Sequence, residues 1–228
     1  MCFDIIYIIK SLHGDFMKTY LFDFDGTLVD SMPTFGQVML NVLDSRGIPH
    51  PDDLIKIVTP LGAVKSAEYY IKLGLNMTVP EILEELRTNF VEAYTYKIPA
   101  KANVIETLKA LKARGDDLNV LTASPHTSLD PCLKRLGIYD MFSNVWACGE
   151  DFGTTKDNPE IYKAAAQRMG VNVEDIIFVD DNLYADRAGK EAGSIVYGIY
   201  DDSSAEFVQD IKDVTDRYIY DFAELLQD

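Results

Sequence analysis

The chain has 228 residues, a 47% apolar fraction and a formal net charge of −16, so it can bury one large core or a core with a sizeable insert. That charge argues against nucleic acid or an anionic membrane surface as a partner, because both need a basic footprint. Three scattered cysteines, Cys2, Cys132 and Cys148, are odd in number and imply free thiols in a reducing, cytoplasmic compartment. Phe3 to Ile9 is apolar, but it carries Asp4 and is too short to span a bilayer. It also lacks the basic start and small-residue cleavage site of a signal peptide. Residues 1–16 therefore read as an extension ahead of Met17, with an extra edge strand as the alternative.

Tyr20–Phe22 and Phe24 predict a short strand buried on both faces, as in a parallel sheet. Asp23 and Asp25 stand at its end, and Gly26 lets the chain turn. Residues two apart on a strand point the same way, so the two carboxylates should reach one small volume at the carboxyl edge of the sheet, where open α/β sheets bind ligands. Held together they need a cation or a shared proton. One suits a nucleophile and the other an acid/base. Four fixed positions in D-x-D-G-T recur by chance roughly once per 10⁵ positions, which disfavours a mere pair of turn aspartates.

Ser31 should cap a helix with Pro33 in its first turn, bearing Phe35, Val38, Met39, Val42 and Leu43. Further helices follow with Leu54, Ile55 and Val58, then from Gly62 to Leu73. Another starts near Pro80 and carries Ile82, Leu86, Phe90, Ala93 and Tyr94. Nothing in 32–98 alternates like a strand, so this span reads as an all-helical insert. Lys56 and Lys65 within it could meet a substrate anion, but solvated surface lysines are commoner. From Pro99 helices and strands alternate, the mark of βαβ units. The strand Leu118–Leu121 ends in Thr122, with Ser124 and Pro125 leaving the sheet, and His126 reads as an ordinary loop residue. A strand near Asn144–Cys148 leads to Lys156, ahead of a helix capped by Asn158. Ile176–Val179 ends in Asp180-Asp181, and adjacent acids there are costly without a cation. Ile195–Ile199 forms another strand, and Arg217–Leu225 supplies an edge strand and a last helix.

The run Asp23-Phe24-Asp25-Gly26-Thr27-Leu28-Val29-Asp30-Ser31 resembles motif I of the haloacid dehalogenase superfamily, in its branch of phosphoglycolate phosphatase and β-phosphoglucomutase-like proteins with a helical cap. Thr122 matches motif II and Lys156 motif III, with Asp157 in place of the usual first proline. Asp180-Asp181 matches the acidic motif IV, with Asp180 at the usual glycine. Four strand ends, after residues 22, 121, 155 and 179, would then each deliver one group.

The resemblance implies an α/β fold, a Rossmann-like three-layer parallel sheet core (17–31 and 99–228) with an inserted α-helical cap (32–98). It implies a Mg²⁺-dependent phosphatase of small phosphorylated metabolites. Asp23 would attack phosphorus and Asp25 would protonate the leaving oxygen. Thr122, Ser124 and Lys156 would bind the substrate, and Asp23, the Asp25 carbonyl and Asp181 would bind the metal. A second motif IV acid is expected in Asp180 rather than in Asp186, because residues in the first turn of that helix more often face solvent or a neighbouring side chain. A phosphomutase shares every core residue. A non-enzymatic receiver module also has acids, Thr and Lys on an α/β sheet, but it lacks D-x-D-G-T and a long helical insert. A dehalogenase would leave Asp25 without a use.

Overall fold

Strand β1 (Thr19–Phe22) has all four residues buried, because it lies in the middle of a sheet covered on both sides. The structure, a computed structural model, describes residues 17–227, so the reading of residues 1–16 falls outside the described residues. The other strands are β2 (Asp117–Thr122), β3 (Asn144–Ala147), β4 (Ile176–Asp180), β5 (Ile195–Ile199) and β6 (Arg217–Ile219). They pair in the order β3-β2-β1-β4-β5-β6, and every pairing is parallel. This is the doubly wound order that reverses at its first strand, and β1 therefore stands at the switch point.

Alternation along the strands builds the two faces of the sheet. Tyr20, Phe22, Ile177 and Val179 pack on one side with Leu108 and Leu111 of α5 (Val104–Arg114) and Leu129 and Leu133 of α6 (His126–Arg135). Leu21 and Phe178 pack on the other side with Ile161, Tyr162 and Ala165 of α7 (Glu160–Met169) and Ala185, Ala188 and Ala192 of α8 (Leu183–Ala192). The result is the expected three-layer α/β arrangement. A last helix, α9 (Val208–Val214), escapes the sequence reading, because one buried residue, Ile211, gives too short a periodic pattern.

Between β1 and β2 the chain forms α1 (Met32–Asp44), α2 (Leu54–Val58), α3 (Ala63–Lys72) and α4 (Val79–Tyr96). Their apolar residues interlock around Val42, Leu54, Tyr70 and Ile82, all fully buried. The Tyr70 hydroxyl donates to the Met39 carbonyl at 3.1 Å. Thr78 and Glu81 close a reciprocal cap at the start of α4, with Thr78 N–H on Glu81 at 2.7 Å. Ser31 sits at the cap position of α1, yet its side chain does not cap. Its buried hydroxyl has no hydrogen-bond partner, so Pro33 and packing set that start instead. Two short connections join the helical segment to the sheet side by side. Val29 bridges Ala100, and Asp30 N–H donates to the Pro99 carbonyl at 3.0 Å. Among the described residues, no helix is long and apolar enough to cross a membrane.

Candidate active site

A parallel sheet brings all its strand carboxyl ends to one edge, and three of the expected groups gather there. Asp23 follows β1 directly, with its N–H on the Val179 carbonyl at 2.9 Å. Thr122 ends β2, and Asp180 ends β4. They line a cleft of about 550 Å³ together with Asp25, Lys156, Asp181, Met32 and Phe207. Lys156 arrives differently from expectation. β3 stops at Ala147, and a wide helical turn over Cys148–Phe152 intervenes, so residue 155 is not a strand end. The loop nevertheless carries the Lys156 ammonium onto Asp23 and onto Asp180, the latter at 2.6 Å. Asn158 accepts the Glu160 N–H at 3.1 Å, which starts α7 behind it.

Asp23, Asp180 and Asp181 are all buried, and one carboxylate oxygen from each lies within 4.8 Å of the others. One ammonium faces three acids. Burial would lower the Lys156 pKa, but Asp180 and then Asp23 lift it well above its ordinary value. The Asp23 carboxyl is also raised, up to about 8, by burial first and by Asp180 and Asp25, against the pull of Lys156. That rise favours the neutral form of Asp23, whereas the rise at Lys156 favours its charged form. Asp181 is raised by burial, Asp180 and Asp23. The two ends of the Lys156–Asp23 contact thus pull in opposite senses. The consistent account is that Lys156 stays charged and offsets about one acid, and the surplus negative charge requires a proton or a further cation. A divalent ion suits this all-oxygen donor set. Asp181 has capacity for one, since Oδ1 takes only the Thr27 hydroxyl at 3.3 Å.

Asp25 lines the same cleft as Asp23 but stands outside the acid trio. Its Oδ1 accepts from the Tyr94 hydroxyl at 2.6 Å, and its Oδ2 accepts from the Ser124 hydroxyl at 2.5 Å. Ser124 N–H in turn donates to Thr122 Oγ1 at 3.1 Å, which leaves the threonine's own proton to donate elsewhere. Tyr94 went unrecognised in the sequence as anything beyond an apolar helix position. Lys101 was missed as well. Its ammonium donates to the Gly26 carbonyl at 2.5 Å, the Tyr200 carbonyl at 2.7 Å and Asp201 Oδ2 at 2.9 Å, tying the turn after Asp25 to the loop that follows β5. Lys56 and Lys65 are exposed and do not line the cleft.

Asp186 takes the second of the two orientations expected of it, towards its neighbours. It does not face solvent but is fully buried, and neither carboxylate oxygen has a hydrogen-bond partner. The cause is the close approach of α8 to the sheet. A Cβ on Gly189 would lie 3.1 Å from Phe178 and Val196, so the first turn of α8 is drawn under its neighbours. Burial, then Asp180 and Asp181, raise the Asp186 carboxyl well above the usual range. Asp180 is the acid bound to Lys156.

Gly26 explains why motif I needs a glycine here. Its φ is +80°, and a Cβ would meet Asp181 Oδ2 at 2.6 Å. Gly26→Ala is expected to destabilise the fold by about 1–2 kcal/mol through the left-handed backbone. By displacing Asp181 it should also weaken the hold of the acid trio on a divalent ion roughly tenfold or more, on the scale of altered metal-ligand support. Thermal melts and a Mg²⁺ titration read the two effects separately.

His126 is not a loop residue; it opens α6. Nδ1 meets Asp130 at 2.8 Å, and Nε2 meets Asp151 at 2.9 Å. Burial opposes the charged ring, but these two acids outweigh it and raise its pKa. A raised folded pKa adds stability that is fully present below the unfolded value of about 6.5 and is lost as pH climbs through the folded value. The melting-temperature advantage of wild type over His126→Gln should therefore be largest near pH 6 and shrink towards alkaline pH. An advantage that grows with pH would contradict the pairing.

A family model described as haloacid dehalogenase-like hydrolase matches residues 17–193. The N-acetylmuramic acid 6-phosphate phosphatase of Pseudomonas aeruginosa is 29% identical over 183 residues, covering 78% of this chain and 79% of that protein. A phosphoglycolate phosphatase of Psychrobacter arcticus is 27% identical, covering 91% and 93% respectively. A solved hydrolase of the same family from Deinococcus radiodurans, with bound phosphate and sodium, superposes with a TM-score of 0.74 at 25% identity, covering 92% of this chain and 93% of that one.

Proposed function

This chain belongs to the haloacid dehalogenase-like hydrolase family, and from that premise we propose that it is a Mg²⁺-dependent phosphatase of small phosphorylated metabolites, working through an aspartyl-phosphate on Asp23. The observation that carries this reading is the buried trio Asp23, Asp180 and Asp181, with Lys156 bound to the first two. Asp23 and Asp181, with the Asp25 carbonyl, would hold Mg²⁺. When bound, the ion supplies charge that offsets repulsion between the acids and an anionic substrate and stabilises the transferring phosphoryl group.

The protein's own groups divide the work. An Asp23 oxygen attacks phosphorus in line, and the bond from phosphorus to the ester oxygen breaks. Asp25 gives that oxygen a proton, so the product leaves as an alcohol. Asp25 then takes a proton from water as the water oxygen attacks the phosphoryl group. The bond to Asp23 breaks, and free phosphate results. Lys156 and Thr122 bind phosphoryl oxygens, and Asp180 holds Lys156 in place. The helical segment 32–98 acts as a cap that excludes water and selects the substrate. The named relatives act on N-acetylmuramic acid 6-phosphate and phosphoglycolate, which supports a small phosphorylated organic acid or sugar here.

The test is release of inorganic phosphate from a panel of sugar phosphates, phosphoglycolate and nucleotides, with and without Mg²⁺. Mg²⁺-dependent release from at least one small metabolite is expected. Isomerisation of a sugar phosphate without free phosphate would instead make the protein a phosphomutase.

A further inference from the structure

Asp25 is held from two sides. Ser124 belongs to the loop after β2, in the sheet part of the fold. Tyr94 belongs to the last turn of α4, in the helical segment, 69 residues from Asp25 in sequence. Its ring is buried, 7% exposed, and stacks on Phe24 with centroids 5.8 Å apart. Arg135 of α6 fixes the backbone on which the ring rides, donating to the Tyr94 carbonyl at 3.3 Å and to the Ile98 carbonyl. The Tyr94 hydroxyl donates to Asp25 Oδ1 at 2.6 Å.

We propose that Tyr94 is a positioning residue for the acid/base Asp25: its hydroxyl pins Oδ1, and Oδ2 is left to carry the proton to and from the reacting oxygens. This rests on the acid/base role given to Asp25 above. The two hydroxyls differ in freedom. The Tyr94 O–H is held on a stacked, anchored ring. The Ser124 hydroxyl swings about one side-chain bond, is only partly buried, and can turn to accept from Oδ2 once that oxygen is protonated. A carboxyl free to spin would present its proton in the wrong direction much of the time, and orientation of this kind is a substantial part of general acid catalysis. The pin also comes from the cap, so the acid is correctly aimed only while the last turn of α4 is seated on the sheet domain.

The test compares leaving groups. An alkyl phosphate such as glycerol 2-phosphate needs its oxygen protonated, whereas p-nitrophenyl phosphate releases a stable phenolate without help. The ratio kcat/KM reports only steps up to departure of the alcohol, which separates this event from later hydrolysis of the aspartyl-phosphate. Tyr94→Phe keeps the ring and removes only the hydroxyl. In the full-length protein at saturating Mg²⁺, it should lower kcat/KM for the alkyl ester roughly tenfold, a part of the 10²–10⁴ that a general acid provides. It should lower kcat/KM for the aryl ester less than about twofold, which also certifies the fold. Equal losses on both esters, or no loss on either, would overturn the proposal. Asp25→Asn separates this from the underlying reading, because it should show the same selectivity, larger. If Asp25→Asn is selective and Tyr94→Phe is not, only the role of Tyr94 falls. If Asp25→Asn is not selective, the acid/base assignment falls and takes the role of Tyr94 with it.

Discussion

Asp23→Asn is expected to reduce turnover of p-nitrophenyl phosphate below about 1% of wild type, at least about 2.7 kcal/mol of transition-state stabilisation. The amide has nearly the same shape but does not attack phosphorus. The fold should survive, for a specific reason. Lys156 keeps Asp180 as its counter-ion at 2.6 Å, so removing the charge of Asp23 does not strand a buried ammonium. One of three crowded acids also disappears, which relieves repulsion where burial already pushes Asp23 up to about 8. The melting temperature should therefore change little while activity is lost. Retained turnover above that level would show that another group makes the bond to phosphorus. Loss of both activity and fold would make Asp23 a structural acid.

The residues that could be read in advance share one property: each lies at or just beyond a strand whose apolar run is visible in the sequence. A parallel sheet then brings these ends together whatever the intervening chain does, and so Asp23, Thr122 and Asp180 come to one edge. Lys156 was recognisable by its order in the chain, but its route was not, because the turn at Cys148–Phe152 leaves no periodic signal. Asp25 shares the cleft with Asp23, but its hydroxyl partners Tyr94 and Ser124 come from distant parts of the chain. Long-range partners were not legible at all. Tyr94 looks like any apolar residue of an amphipathic helix until α4 is docked, and Lys101 looks like a surface lysine until Gly26, Tyr200 and Asp201 surround it. Which way Asp186 faces was open for the same reason, since small side chains let α8 approach the sheet and draw the acid beneath the surface.

Three acids, Asp180 at the end of β4 and Asp181 and Asp186 after it, should separate by function in a Mg²⁺ titration of single Asn variants at saturating substrate. Asp181 is the proposed ligand, with its buried carboxylate beside Asp23 and Asp180 and with only a long contact to Thr27 on Oδ1. Asp181→Asn should raise the Mg²⁺ concentration for half-maximal activity by about a hundredfold or more, the upper range for loss of metal support. Asp180 has both oxygens engaged already, Oδ2 by Lys156 at 2.6 Å and Oδ1 by Asn182 N–H at 2.8 Å. Asp180→Asn should therefore act mainly through a mis-set lysine, lowering kcat roughly tenfold while moving the Mg²⁺ midpoint less than Asp181→Asn does. Asp186 lies in the helix turn behind, buried with no partner on either oxygen, and burial with two neighbouring acids favours its neutral form. An amide there changes neither charge nor shape much, so Asp186→Asn should titrate like wild type. A crippled Asp186→Asn beside a healthy Asp180→Asn would move the second acid of the site from Asp180 to Asp186, and the unpartnered oxygens would then be read as reaching the metal's water shell.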